Sequence, residues 1–344
     1  MIYSACSSSI DWPEYINKLP QSKSYEYVKA GEWNKKKAVD TLAASLWIDP
    51  KNPKNAVYST PADLVKVGDN YWICDPMMGS IFKFSSDGNY LETVSARGRG
   101  PGETLKPAAL YSLDGEDGTL IYTVDPPQKS ILIFDKEGNE INRIPQETID
   151  RSLFNNWVIA LRSNRLVWPT YNLDNHVIIK ADSSGMIQDS SVHRLIPKGH
   201  QPATYNATVY DEDPSKNDIF YAYRGIPVLF YKNPNAKKMV NLLPRTNLED
   251  LNTPLNIMPH QEKARVKNII KDIYSYKDRL LVHFRNKFLV ISKNSWRSRA
   301  FIFVDSSDNK IIPQKIVLAG NDLFLINRFN LKIYKFSLSE IEGL

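Results

Sequence analysis

The chain has 344 residues, 42% of them hydrophobic and 11% aromatic, a content that suits a packed β-rich domain and argues against disorder. Its 44 basic and 38 acidic side chains leave a formal charge of +6. That surplus is scattered through turns such as Lys35-Lys36-Lys37 and Lys237-Lys238 instead of forming one stripe, so a nucleic-acid binder is not expected. No stretch approaches the roughly 18 uninterrupted apolar residues that a membrane-spanning helix requires.

Residues 1–22 read as an N-terminal tether, and residues 23–344 as a single domain. Cys6 follows Ser4-Ala5 and precedes Ser7-Ser8-Ser9, which resembles the small-residue cleavage site and serine-rich tether of a bacterial lipoprotein. Tyr3 stands where Leu is usual, and the charged and apolar regions of a signal peptide are missing. The expectation is a lipid anchor at Cys6, with the domain in the periplasm or on the outer membrane surface. The other cysteine, Cys74, lies in an apolar strand and reads as a buried thiol. Val39, Leu42, Ala43 and Leu46 recur at helical spacing, so one short helix is expected over 35–46.

From residue 63 onward the pattern is strand, turn, strand. The segments 63–67, 71–74, 81–84 and 90–94 form the first set, separated by Gly68-Asp69-Asn70, Asp75 to Gly79 and Asp87-Gly88-Asn89. The plan returns at 110–113, 120–124, 131–134 and 140–144, and again at 158–161, 166–168, 177–180 and 187–192. A fourth, looser set covers 207–210, 219–223, 228–231 and 238–242, and a fifth 269–273, 280–284, 288–291 and 300–304. The sixth supplies only 316–319, 323–327 and 333–336.

The third strands carry a shared phrase, clearest in Ser80 to Ser85, Ser130 to Asp135 and Lys332 to Ser337. Anchored on Ile81, Ile131, Ile178, Val228, Phe288 and Ile333, the spacings are 50, 47, 50, 60 and 45 residues. Strand repeats at that period predict a six-bladed β-propeller with four-stranded antiparallel blades. The sixth blade lacks an outer strand, and an open edge invites aggregation. The N-terminal segment must supply it, through either 25–29 or 45–48.

Between the first two blades runs Arg97-Gly98-Arg99-Gly100-Pro101-Gly102-Glu103. No helix follows it, so a phosphate cradle is not expected; a structural crossing from one blade to the next is. This loop, with its preceding strand and "Phe-x-x-Asp-Gly" turn, resembles the six-bladed β-propeller lipoproteins of Bacteroidetes, relatives of the NHL-repeat and TolB-like propellers. The match rests on Gly98, Gly100, Pro101, Gly102 and Glu103. It is specific for fold and says little about function.

Ligand-binding candidates lie at the middle turns, which the repeat places on one face: Tyr171, Asn172, Tyr223, Arg224, Arg285, Asn327 and Arg328, joined by Arg97 and Arg99. Guanidinium groups beside rings suit carboxylates, phosphates or sugars. Asp75 and Asp125 are turn starters, and are the metal candidates if a metal is bound. Lactonase-type six-bladed propellers hold a channel calcium through acidic and amide side chains, and Asp75, Asp125, Asn172 and Asn327 match by type. Two long loops, 193–206 and 244–266, add His193, Lys198 and His200 as candidates. The five histidines have no ligand spacing and no catalytic set emerges. Asp114-Gly115-Glu116-Asp117-Gly118 looks calcium-like but misses the EF-hand pattern, and turn chemistry explains it.

The reading is a monomeric, non-catalytic envelope module, without a required cofactor, that binds a glycan, peptide or protein partner at the channel mouth. The alternatives are a calcium-dependent hydrolase or lactonase in the channel, and a purely structural subunit of an envelope assembly.

Overall fold

The computed structural model describes residues 25–30, 40–52, 55, 57–115, 118–145, 160–162, 165–169, 176–181, 187–193, 208–213, 215–224, 227–242 and 269–342. These residues form six separate sheets. The N-terminal region gives β1 (Glu26–Lys29), β2 (Asp40–Ala43) and β3 (Ser45–Ile48). Blade 1 is β4 (Asp63–Val67), β5 (Asn70–Asp75), β6 (Ser80–Phe84) and β7 (Tyr90–Ser95). Blade 2 is β8 (Leu110–Gly115), β9 (Gly118–Asp125), β10 (Ser130–Phe134) and β11 (Glu140–Pro145). Blade 3 is β12 (Ala160–Arg162), β13 (Arg165–Pro169), β14 (His176–Ala181) and β15 (Ile187–His193). Blade 4 is β16 (Thr208–Asp213), β17 (Asp218–Tyr223), β18 (Val228–Lys232) and β19 (Lys237–Asn241). Blade 5 is β20 (Ile270–Tyr276), β21 (Arg279–Phe284), β22 (Lys287–Ser292) and β23 (Ser298–Val304), with the short β24 (Lys310–Ile311) beside β23. Blade 6 has β25 (Lys315–Ala319), β26 (Asp322–Asn327) and β27 (Lys332–Ser337), followed by the single turn α1 (Ser339–Glu342).

The N-terminal region settles two expectations. Of the two candidates for the missing outer strand, Ser45–Ile48 is the one used: β3 pairs antiparallel with β27 and completes blade 6 as its fourth strand. The helix expected over 35–46 is not there in its described part, because Asp40–Ala43 is strand β2 on the edge of β23. Leu42 is buried and its neighbours in β2 are exposed, so the apolar spacing served a sheet edge instead of a helical stripe. The remaining candidate, Glu26–Lys29, lies parallel to β19 as a fifth strand of blade 4, with Glu26 bridged to Lys238 at 3.1 Å. The segment thus adds one strand to each of blades 4, 5 and 6.

The described residues fall into two compact units, one holding blade 4 and most of blade 5, the other blades 6, 1, 2 and most of 3. In the second unit the innermost strands β25, β4, β8 and β12 adjoin in that order. The second strands of blades 1, 2 and 6 are buried on both faces, which explains their near-continuous apolar sequence. β5 shows the alternation: Tyr71 and Ile73 pack toward blade 6, with Phe324, Ile326 and Ile333, while Trp72 and Cys74 pack toward blade 2, with Ile121, Leu132 and Phe134. Cys74 is therefore a buried thiol, and burial pushes its pKa up.

Trp47 of β3 sits among Phe324 (ring centroids 4.7 Å), Tyr71 (5.1 Å) and Phe84 (6.4 Å), and its indole N–H donates to the Ser86 carbonyl at 2.8 Å. Its own carbonyl crowds Gly88: a Cβ there would lie 2.2 Å from that oxygen, and the residue has φ +81°. Only glycine meets both conditions.

In the first unit, β16 adjoins β20. Lys293 of blade 5 reaches blade 4, lying over the Phe220 ring and 3.6 Å from Asp213, while Tyr231 packs on Trp296 at 5.1 Å.

Because Trp47 carries the closing strand into the core, Trp47→Ala is expected to destabilise the fold by about 3–5 kcal/mol, read as a lowered urea midpoint. A change below about 1 kcal/mol would show that the backbone pairing alone closes blade 6.

Candidate functional site

In blades 1, 2 and 6 the second and third strands meet in a turn, and the segment leading into the first strand lies beside it. In blade 1 this meeting is organised by Asp75, a fully buried carboxylate at the end of β5. Its Oδ2 accepts the N–H groups of Ser59 and Thr60, both at 2.5 Å, and its Oδ1 accepts those of Met77 (2.8 Å) and Met78 (2.9 Å). One side chain therefore ties the lead-in segment to the turn. Blade 2 repeats the device: Asp125 accepts Leu105 N–H (2.5 Å), Lys106 N–H (3.2 Å) and the Gln128 amide (3.1 Å). In blade 6 the corresponding residue is Asn327, whose Oδ1 accepts the N–H groups of Phe329 (3.1 Å) and Asn330 (3.4 Å). The two carboxylates proposed as metal candidates are thus engaged with backbone donors on both oxygens, and the set does not fit a calcium site as it stands. Among the described residues no group of three or more His, Cys, Asp or Glu side chains converges.

Arg328 joins blade 6 to blade 1. Its Nε donates to the Pro61 carbonyl (3.1 Å) and its Nη2 to that of Ala62 (3.2 Å), while its backbone N–H donates to Gln314 Oε1 (2.6 Å). Tyr58 adds a second staple, its hydroxyl donating to the Leu331 carbonyl at 2.7 Å; burial pushes that phenol's pKa up, and Asp49 and Asp75 add to the shift. Deeper, at the start of β4, the buried Asp63 accepts Leu64 N–H (3.0 Å) and Leu110 N–H (3.4 Å) and lies 3.3 Å from Lys315 Nζ. Burial raises the Asp63 pKa, and Lys315 opposes that shift. This triad binds the inner strands of blades 6, 1 and 2 together. Sequence inspection missed it, since a lone Asp and a lone Lys 252 positions apart (315 minus 63) carry no local pattern.

The glycine loop between blades 1 and 2 is structural. Glu103 Oε2 accepts Gly100 N–H at 2.7 Å and would lie 1.9 Å from a Cβ at position 98, so any side chain there would displace the Glu103 carboxylate from that bond. Gly102, at φ +74°, donates to Glu140 Oε2 at 2.5 Å. Glu140 in turn holds Arg143 through Nε (2.7 Å) and Nη2 (2.8 Å), and this pairing lowers the Glu140 pKa. Gln128 closes the network by donating to the carbonyls of Gly98 (3.2 Å) and Glu103 (2.8 Å). The loop's own arginines point away from this work: Arg97 and Arg99 are exposed, and the Arg97 stem lies against Gly79.

The turns of blades 6 and 1 leave large apolar side chains exposed, beside the exposed Arg328 and Asn330. Phe329 is 88% exposed, Met77 65% and Met78 44%, with Ile312 at 46% in the segment leading into β25. The hydrogen bonds already described run continuously from the Phe329 turn through residues 59–62 to the methionine turn, so these side chains share one surface.

The first unit places its candidates differently. Tyr223 is fully buried, its ring against Phe230 (5.7 Å) and Tyr221 (6.1 Å), and is core. Arg224 contributes its carbonyl, which accepts Ile269 N–H (2.6 Å) and Ile270 N–H (3.1 Å). Arg285, at φ +56°, donates its backbone N–H to the Ile269 carbonyl at 2.7 Å, and its buried Nε has no partner among the described residues. Two residues earlier, His283 is buried with Nδ1 3.3 Å from Asp272, and burial holds its pKa below 6.5. His193 ends β15 instead of lying in a loop. Cys6, Tyr171, Asn172, Lys198, His200 and the loop 244–266 lie outside the described residues. At the calcium-like sequence, Asp114 accepts the Thr119 hydroxyl at 2.7 Å across the hairpin.

A family of 6-bladed β-propellers, DUF5128, matches residues 21–277. The chain belongs to this family. Solved structures agree on the fold. One is a protein from Bacteroides fragilis NCTC 9343 regarded as exported, with 10% identity, TM-score 0.58, and 90% of this chain aligned to 98% of the other. Another, a DUF4221 member from Bacteroides vulgatus ATCC 8482, has 8% identity and TM-score 0.50 over 87% and 96%. A catalytically inactive virginiamycin B lyase from Staphylococcus aureus with quinupristin has 14% identity and TM-score 0.51 over 87% and 99%. No curated protein matches the sequence.

Two outcomes follow from the buried charges. Lys315→Met strands the Asp63 carboxylate and is expected to cost about 3 kcal/mol, whereas pairing it with Asp63→Asn recovers most of the loss in urea unfolding. An additive double variant would remove the ion pair from this account. Second, the unfolded chain protonates His283 near pH 6.5 while the folded one does not. Stability therefore falls as pH drops below that value, by up to about 1.4 kcal/mol per pH unit, and His283→Phe flattens the slope. An imidazole titrating above 6.5 by NMR contradicts this.

Proposed function

We propose that this propeller is a non-catalytic binding module of the bacterial cell envelope, whose ligand docks on the turns of blades 6 and 1. The ligand classes it suits are a peptide, a protein partner or a glycan. One observation carries the reading: Phe329, Met77 and Met78 are exposed on turns whose backbones are fixed by Asn327 and Asp75. Large apolar side chains held out on a stiff support lose little entropy on docking and provide anchors that water does not reward.

The hydrolase alternative draws on Asp75 and Asp125, and their engagement with backbone N–H groups favours binding over metal chemistry. An envelope location, with Cys6 as a lipid anchor, is part of the same proposal; it is supported by the sequence around Cys6 and by the exported character of the Bacteroides fragilis relative.

The test screens intact protein against peptide and glycan arrays, alongside a Phe329→Ser, Met77→Ser, Met78→Ser variant. The variant is expected to keep its melting temperature, since these side chains touch little, and to lose about tenfold or more in affinity for any hit. Absence of hits for the wild type on both arrays overturns the proposal. A melting temperature raised by calcium, with accompanying lactone hydrolysis, replaces it with the alternative.

A further inference from the structure

Resting on that binding reading, we infer that the partner is an acidic peptide segment carrying apolar side chains. The inference concerns charge. Beside the exposed Phe329, Met77, Met78 and Ile312 stand the exposed cations Arg97, Arg99 and Lys129. Arg97 is fixed next to the methionine turn by its stem against Gly79, the residue that follows Met78. Arg99 lies inside the glycine loop, between Gly98, whose carbonyl accepts Gln128, and Gly100, whose N–H is held by Glu103. Lys129 ends the blade 2 turn with φ +51°, directly after Gln128.

Among the described residues, the acidic groups that would neutralise these cations are already engaged. Asp75 and Asp125 face inward onto backbone N–H groups, Glu103 accepts from Gly100, and Glu140 is paired with Arg143. The described scaffold thus engages Asp75, Asp125, Glu103 and Glu140 internally and leaves the cations outward. Complementary charge requires a partner rich in Asp or Glu, and the apolar anchors require Phe, Leu, Ile or Met between them. A glycan without carboxylates would leave the arginines unmatched. A membrane surface needs no fixed turn geometry, whereas these turns are held rigidly by Asp75, Asn327 and the glycine-loop network. A peptide uses both features.

The experiment pans a random dodecapeptide phage library on the intact protein and on an Arg97→Glu, Arg99→Glu, Lys129→Glu variant. Enriched wild-type sequences are expected to combine Asp or Glu with large apolar residues. A synthetic copy of the leading sequence should lose at least about tenfold in affinity against the charge-reversed variant and again against Phe329→Ser. Its binding should weaken as salt rises, because the charges are exposed. Peptides without acidic bias that bind the charge-reversed variant undiminished, yet fail on Phe329→Ser, overturn this inference and leave the binding surface standing. So does a glycan hit without a peptide hit. Binding to phosphatidylglycerol–phosphatidylethanolamine vesicles in place of peptides assigns the surface to a membrane and also overturns it. No ligand from any of the three sources removes the binding reading as well.

Discussion

The pairing of Ser45–Ile48 with Lys332–Ser337 turns a row of meanders into a completed set of blades. Without it, β27 would expose a strand edge and the aromatic cluster of Trp47, Tyr71, Phe84 and Phe324 would lose its centre. Blade 1 depends on the same contact, because Trp47 also anchors its outer turn through the Ser86 carbonyl and fixes glycine at position 88. Backbone pairing and side-chain packing thus act at one place, and the turns that carry the exposed apolar residues stand on the two blades so joined.

A second theme is the use of carboxylates as backbone acceptors. A buried unpaired charge is expensive, and several hydrogen bonds to N–H groups compensate it. Asp75 and Asp125 meet that requirement, and in doing so they stiffen the surface on which a partner would land. Asn327 performs a related task in blade 6 with fewer bonds, leaving the Phe329 turn more open to solvent. The same principle shapes the glycine loop, where Glu103 and Glu140 accept from Gly100 and Gly102.

Much of this was legible in advance because strand periodicity is local. The six repeats and the need for an N-terminal outer strand follow from the Ser80–Phe84 pattern and its copies, and the structural character of the 98–103 loop from its glycines. Asp40–Ala43 misled because its Leu42 and Ala43, which stand at helical spacing to Val39 and Leu46 in sequence, also suit a short edge strand beside β23. The side-chain roles were harder still. Tyr223 and Arg328 look like ligand contacts in sequence, yet one is core and the other donates two bonds to the carbonyls of Pro61 and Ala62. Such assignments depend on which blade a residue faces, and only the assembled sheets determine that. Asp63 with Lys315, and His283 with Asp272, belong to the same class.

The N-terminal segment contributes strands to blades 4, 5 and 6 in turn, and Ser45 bonds to a carbonyl 290 residues further along. During synthesis these strands leave the ribosome well before the partners they pair with. Contacts of such sequence separation form slowly, and an unpaired strand is prone to association in the interval. Short length, four residues in each of β1, β2 and β3, limits what the waiting edge offers to other chains. The arrangement makes completion of blade 6 a late step of biogenesis, because β3 must wait until Lys332–Ser337 has been made.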